Sequence, residues 1–168
     1  MYKQHLLLNL EREIVLLKQL APFIEEKDLA FRPAEKVRST YELMQYLSEL
    51  GTTMMHWFTA GMTPEFREKI AARRQTLTLA NFTQRLDEQL ANVKKYMETI
   101  SEEDLYNKLV EQPSKEKLPL GAAIINGPVK WLATYRMELF VYMKMCGKDH
   151  LTTKEAWVYE PSLAVTNN

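Results

Sequence analysis

Apolar residues recur every three or four positions over four long stretches of the chain, the repeat of an amphipathic helix with one buried face. Between Tyr2 and Ala21, the residues Leu7, Leu10, Ile14, Leu17 and Ala21 share one side, while Glu11, Arg12, Lys18 and Gln19 fall largely on the other. Pro22 stops this first helix, because proline lacks a backbone donor and disfavours helical geometry in the residue before it. Glu25 to Arg38, with Pro33 inside it, reads as a connection.

The second helix opens on Ser39-Thr40-Tyr41-Glu42, a capping box in which the Ser39 hydroxyl and the Glu42 carboxylate satisfy free amide donors reciprocally. Leu43, Leu47, Leu50, Met54 and Trp57 then form its apolar stripe, with Tyr46 beside it, and Gly61 and Pro64 close it. A short helix is predicted over Pro64 to Arg74. A third long helix follows from Asn81 to Ile100, with Phe82, Leu86, Leu90, Val93, Met97 and Ile100 inward.

Ser101-Glu102-Glu103-Asp104 repeats the cap signature. Asn107 to Leu120 is polar, contains Pro113 and Pro119, and reads as an irregular crossing. The fourth helix is predicted from Asn126-Gly127-Pro128, with proline in its first turn, to a glycine cap at Gly147. Its inner face is Trp131 or Leu132, then Tyr135, Leu139, Tyr142 and Cys146. The tail, Lys148 to Asn168, carries Trp157 and Tyr159 and is expected to pack partly on the bundle and then fray.

No strand pattern and no internal repeat emerges, so the fold class is all-α: a single-domain four-helix bundle over 1–168, with a short extra helix and a mixed tail from about residue 148.

Composition narrows the function classes. Lys plus Arg and Asp plus Glu each number 22, and the densest basic run, Arg67 to Arg74, is broken by Glu68, which disfavours nucleic acid as a partner. No window approaches the roughly 20 apolar residues of a membrane span. A single cysteine, Cys146, excludes an internal disulfide and fits a reducing compartment. With no signal-peptide pattern at Met1-Tyr2-Lys3-Gln4-His5, a cytoplasmic protein is expected.

Familiar catalytic spacings are missing: no glycine-rich phosphate loop, no Cys-x-x-Cys, no His-Glu-x-x-His, no Gly-x-Ser-x-Gly and no Glu-x-x-His pair. Of the three histidines, His5 and His150 lie near the ends of the ordered region and read as solvated, and His56 lies near the end of the second helix. Cys146 stands in a last helical turn, where the helix dipole opposes a thiolate, and reads as structural.

Ser39-Thr40-Tyr41-Glu42-Leu43-Met44-Gln45-Tyr46-Leu47, the Trp131 to Gly147 segment and the Phe31-Arg32-Pro33 connection together resemble the DinB/YfiT-like family of four-helix proteins, over roughly residues 1–150. The resemblance implies a divalent-metal site built from three histidines, one on the second helix and two, four residues apart, on the fourth. Side chains at i and i+4 share a helix face and can reach one ion. Those positions fall here at Tyr46, Trp131 and Tyr135, and the Arg-Gly-Gln that often follows the last ligand reads Arg136-Met137-Glu138.

Indole offers no lone pair to a metal, and phenols ligate only as phenolates. The expected cofactor is therefore none. The leading expectation is a non-catalytic or metal-independent module that binds a small-molecule ligand or a partner. Either the three rings fill the former site, or they wall a pocket with Arg136, Glu138 and His56 near its rim.

The alternative is a metal-dependent hydrolase or thiol S-transferase of the DinB/YfiT type with substitute ligands, for instance His56 with Glu49 or Glu138. Residues seven apart lie about 10 Å apart along a helix, which one ion scarcely bridges. A homodimer is expected, with Trp57, Phe58 and Trp157 as candidate interface aromatics.

Overall fold

The computed structural model describes residues 1–164 of the chain. Helix α1 (Tyr2–Leu20) buries Leu6, Leu10, Ile14, Leu17 and Leu20, and two short 3-10 turns follow it at Ala21–Phe23 and Glu26–Asp28. Leu6 rather than Leu7 takes the buried place in the first full turn. The Ser39–Glu42 capping box forms as predicted and starts α2 (Thr40–Leu47). Next come α3 (Leu50–Ala60), α4 (Pro64–Gln75) and α5 (Phe82–Thr99), whose whole predicted inner stripe is buried.

A second capping box at Ser101 and Asp104 opens α6 (Glu102–Asn107). The crossing expected to be irregular is instead a small antiparallel hairpin. Strand β1 (Leu109–Glu111) pairs with β2 (Lys117–Pro119), Val110 facing Leu118. Strands of three residues are too short to show a period-two pattern, which is why the sequence reading found none.

The last long helix starts earlier than expected, at Leu120 rather than Asn126. It runs as α7 (Leu120–Ile124), a π turn over Ile125–Val129, and α8 (Lys130–Met145). Pro128 is thus inside the helix rather than in its first turn. Its missing N–H breaks the regular ladder, and the widened turn absorbs the break. Gly127 lets this segment approach α3 closely, since a Cβ there would meet Met54 Cε and Phe58 Cζ at 3.2 Å each. Gly147, at φ +87°, ends the helix as expected.

α1 packs along α5 and against α8, and α3 packs against α5 and the π turn, so the four-helix architecture stands. Leu10, Ile14, Leu43, Leu47, Phe82, Leu86, Leu90, Leu132 and Leu139 form a core sealed from solvent.

Beyond Gly147, α9 (Thr153–Trp157) lies on α1, tied down by the Arg136 guanidinium through the Ala156 carbonyl. The Tyr159 hydroxyl donates to Glu11 Oε1 at 2.9 Å. The fraying expected at the very end falls on residues 165–168, outside the described residues. Of the three candidate interface aromatics, Phe58 is core and Trp57 is half-buried, leaving Trp157 exposed. Among the described residues no helix is long and apolar enough to cross a membrane.

Candidate functional site

The element predicted as one second helix is broken at Ser48 and Glu49, and the break shapes the site. The Ser48 hydroxyl donates to the Gln45 carbonyl at 3.0 Å, and Glu49 adopts φ −126°, outside helical geometry. A continuous helix would join the Gly51 N–H to the Leu47 carbonyl. Instead the buried Gln89 amide of α5 enters that bond, accepting from Gly51 at 2.6 Å and donating to Leu47 at 3.0 Å. Both backbone groups stay satisfied across the break between α2 and α3.

Across this joint, Tyr46 of α2 meets Tyr135 of α8 edge-on, their ring centroids 4.9 Å apart and the planes at 77°. Tyr46 and Trp131 line one cavity of about 330 Å³, together with Leu50, Met54, Trp57 and Met62, and with Ile70 and Ala71 of α4. The predicted aromatic trio therefore gathers in one region, with a hollow beside it. That volume lies at the small end of ligand-site sizes, and the wall is mostly apolar, as such sites usually are. Thr53, Arg67 and Arg74 supply its polar part.

Two arginines that the sequence reading did not single out stand over the rings. The Arg38 guanidinium lies 4.3 Å from the Tyr46 centroid and 5.2 Å from that of Tyr135. Arg74 lies 5.5 Å from Tyr46 on its own account. Cations over aromatic faces are attracted by the ring quadrupole. Burial pushes the Tyr46 phenol above its ordinary value, Tyr135 adds to the rise, and the two arginines pull against it. Burial also lowers Arg74 from the usual guanidinium value.

The remaining candidates sit elsewhere. Arg136, expected at the rim, turns to the opposite side and is 3% exposed, with Nε donating to Glu13 Oε2 at 2.9 Å. It is a tether between α8, α1 and the tail, so the rim reading is corrected. Glu138 is engaged by Tyr142, whose hydroxyl lies 2.6 Å from Glu138 Oε1 and 3.0 Å from the Arg38 carbonyl. Burial and that carboxylate raise the Tyr142 phenol.

His56 stacks on Phe66 at 3.6 Å and shares a 2.9 Å hydrogen bond with the Tyr96 hydroxyl. Burial lowers its imidazole, helped by Lys69. Neither His56 nor Glu138 lines the cavity. Glu49, the proposed companion of His56, is 1% exposed and receives Arg73 Nε at 2.8 Å. His5 and His150 are exposed as expected, although Phe23 lies against His150. Cys146 is half-buried, and burial and Asp28 raise its thiol, in keeping with a structural reading.

The residues at the implied metal positions do not fit a divalent ion. An indole, a phenol held neutral by burial and a second phenol offer a poor donor set, and two guanidiniums already bring positive charge to it. Among the described residues no group of three His, Cys, Asp or Glu side chains is placed to hold a metal ion. His56, Glu49 and Glu138 thus do not assemble into a substitute set.

No protein-family profile matches the chain, and no curated protein sequence matches it significantly. Solved structures do. One is a DinB-like protein, YjoA, of Bacillus subtilis, at a TM-score of 0.67 and 17% identity, the match covering 85% of this chain and 92% of that one. Another, from Exiguobacterium sibiricum and assigned to the DinB family, matches at a TM-score of 0.67 and 18% identity, covering 88% of this chain and 93% of the other. With nearly the whole length of both superimposed, the helical bundle described above is the DinB-like fold.

Proposed function

We propose that this protein is a metal-independent binding module that takes a small organic molecule into the cavity between α2, α3, α4 and α8. The observation that carries the reading is that Tyr46 and Trp131 share the wall of one mostly apolar hollow, with Tyr135 packed edge-on behind Tyr46. In a DinB-like site of the implied kind, the positive charge would come from a divalent ion. Here Arg38 and Arg74 bring it instead, and the side chains around them suit an organic guest better than a metal.

The chemistry of the wall supports binding rather than catalysis. A phenol, two indoles, a hydroxyl and guanidiniums provide hydrogen bonds and fixed charge, but no nucleophile paired with a base. Full-length protein purified without a nickel column, analysed for metals and then titrated calorimetrically with zinc, nickel and manganese, tests this. The expected result is no stoichiometric ion. One equivalent of any of them held at micromolar affinity or better overturns the proposal.

A further inference from the structure

Arg73 and Arg74 are neighbours in sequence and opposites in environment. Arg73 donates to Glu49 at 2.8 Å and to Glu88 at 2.7 Å. Arg74 lines the cavity, and among the described residues no carboxylate lies within ion-pairing distance of it. Its Nε is shielded from solvent and has no hydrogen-bond partner there, and Thr53 Oγ1, in the same wall, is likewise buried and unpartnered. Arg38, 4.3 Å from the Tyr46 ring centroid, and Arg67, at the exposed margin of the cavity, also have no carboxylate partner among the described residues.

Glu49 acts on Arg74 only from beyond ion-pairing distance; a half-buried guanidinium without a contacting partner is costly, and its planar fork suits a carboxylate or phosphate oxygen pair. Arg74 and Arg67 line the hollow and Arg38 stands over the Tyr46 ring beside it; in a chain with equal numbers of acidic and basic residues these three are a local excess rather than a general one.

Resting on the binding reading above, we infer that the guest is an organic anion. Its charged end meets Arg74, and its apolar body lies among Leu50, Met54, Trp57 and Trp131. Neutral or cationic molecules of the same shape fill the cavity but leave Arg74 uncompensated. The site therefore selects by charge at one end and by shape at the other.

Three probes with the same eight-carbon chain test this on the full-length protein: octanoate, 1-octanol and octylamine. Binding is followed by calorimetry and by the emission of Trp57 and Trp131. Octanoate is expected to bind at least about tenfold more tightly than 1-octanol, the least that a charge-assisted hydrogen bond gives. Octylamine is expected to bind more weakly than either. Arg74→Gln should bring octanoate down to the level of 1-octanol while changing 1-octanol itself by less than about twofold, an uncharged end having no ionic contact to lose.

Should Arg74→Gln fail to fold, the salt dependence of the unaltered protein decides: octanoate affinity must fall with ionic strength and 1-octanol affinity must not. If 1-octanol binds as tightly as octanoate, the anion inference is overturned and the cavity reading survives. If no probe binds, both are overturned.

Discussion

Gln89 Oε1 accepts the Gly51 N–H at 2.6 Å, and through this bond one residue of α5 holds open the joint between α2 and α3. Replacing it with leucine keeps the volume but leaves the Gly51 N–H and the Leu47 carbonyl buried without partners. At about 1–3 kcal/mol for each such group, offset in part by the leucine's apolar surface, Gln89→Leu is expected to cost roughly 2–4 kcal/mol in urea unfolding. A loss under about 0.5 kcal/mol would mean that the two helices had simply closed into one.

Glu49 and Arg73 predict a pH dependence. Burial raises the Glu49 carboxyl above its ordinary value, while Arg73 is the chief force lowering it again. A group raised on folding lends stability that is fully present below its unfolded pKa, near 4.3, and is lost as pH rises through the folded value. Removing Arg73 enlarges that rise, so Arg73→Met must hurt most where Glu49 is ionised. The loss is expected to be roughly 2–3 kcal/mol at pH 7, the lower end for a buried pair because Arg73 stays partly wetted.

The same variant should recover relative to the unaltered protein as pH falls towards 5. Glu88 acts in a lower pH window. Its carboxyl is lowered chiefly by Arg73, so its share is present at both pH 7 and pH 5 and is lost only as pH falls below the unfolded pKa through the folded value. Paired unfolding curves at pH 7 and pH 5 check the sign; a constant difference would refute it.

Thr53 offers the opposite kind of change. Its buried Oγ1 makes no hydrogen bond among the described residues, so Thr53→Val removes an unsatisfied group while keeping the β-branched shape. The expected gain is about 1 kcal/mol, which for a chain of this length is roughly 2–4 °C in Tm. Calorimetric melting of the unliganded protein measures it. A fall in Tm would show that the hydroxyl has a partner in solution.

The helices that could be read directly were those whose patterns are local. The stripe from Phe82 to Ile100 and the Ser39 and Ser101 caps depend only on spacing along the chain, and the structure reproduces them. The joint at Ser48 and Glu49 was not legible, because the side chain that stabilises it, Gln89, lies 38 residues away. Pro128 was misplaced for a related reason: a π turn inside a helix and a first-turn proline look alike until the packing of Gly127 on Met54 and Phe58 is known. Of the site, the gathering of Tyr46, Trp131 and Tyr135 was anticipated from the resemblance. The arginines were not, since an unpaired cation is defined by carboxylates that fail to arrive. Arg136 was misread as rim because Tyr135 was assigned to the inner face with Leu139 and Tyr142, whereas it is Arg136 that shares the buried face with Leu132, Leu139 and Tyr142.

Arg38, 4.3 Å from the ring of Tyr46, is part of the covalent chain. A chelator cannot strip it, a competing ion cannot displace it, and a medium poor in transition metals cannot starve it. The charge at this place is complete once the chain has folded, supplied by the sequence itself.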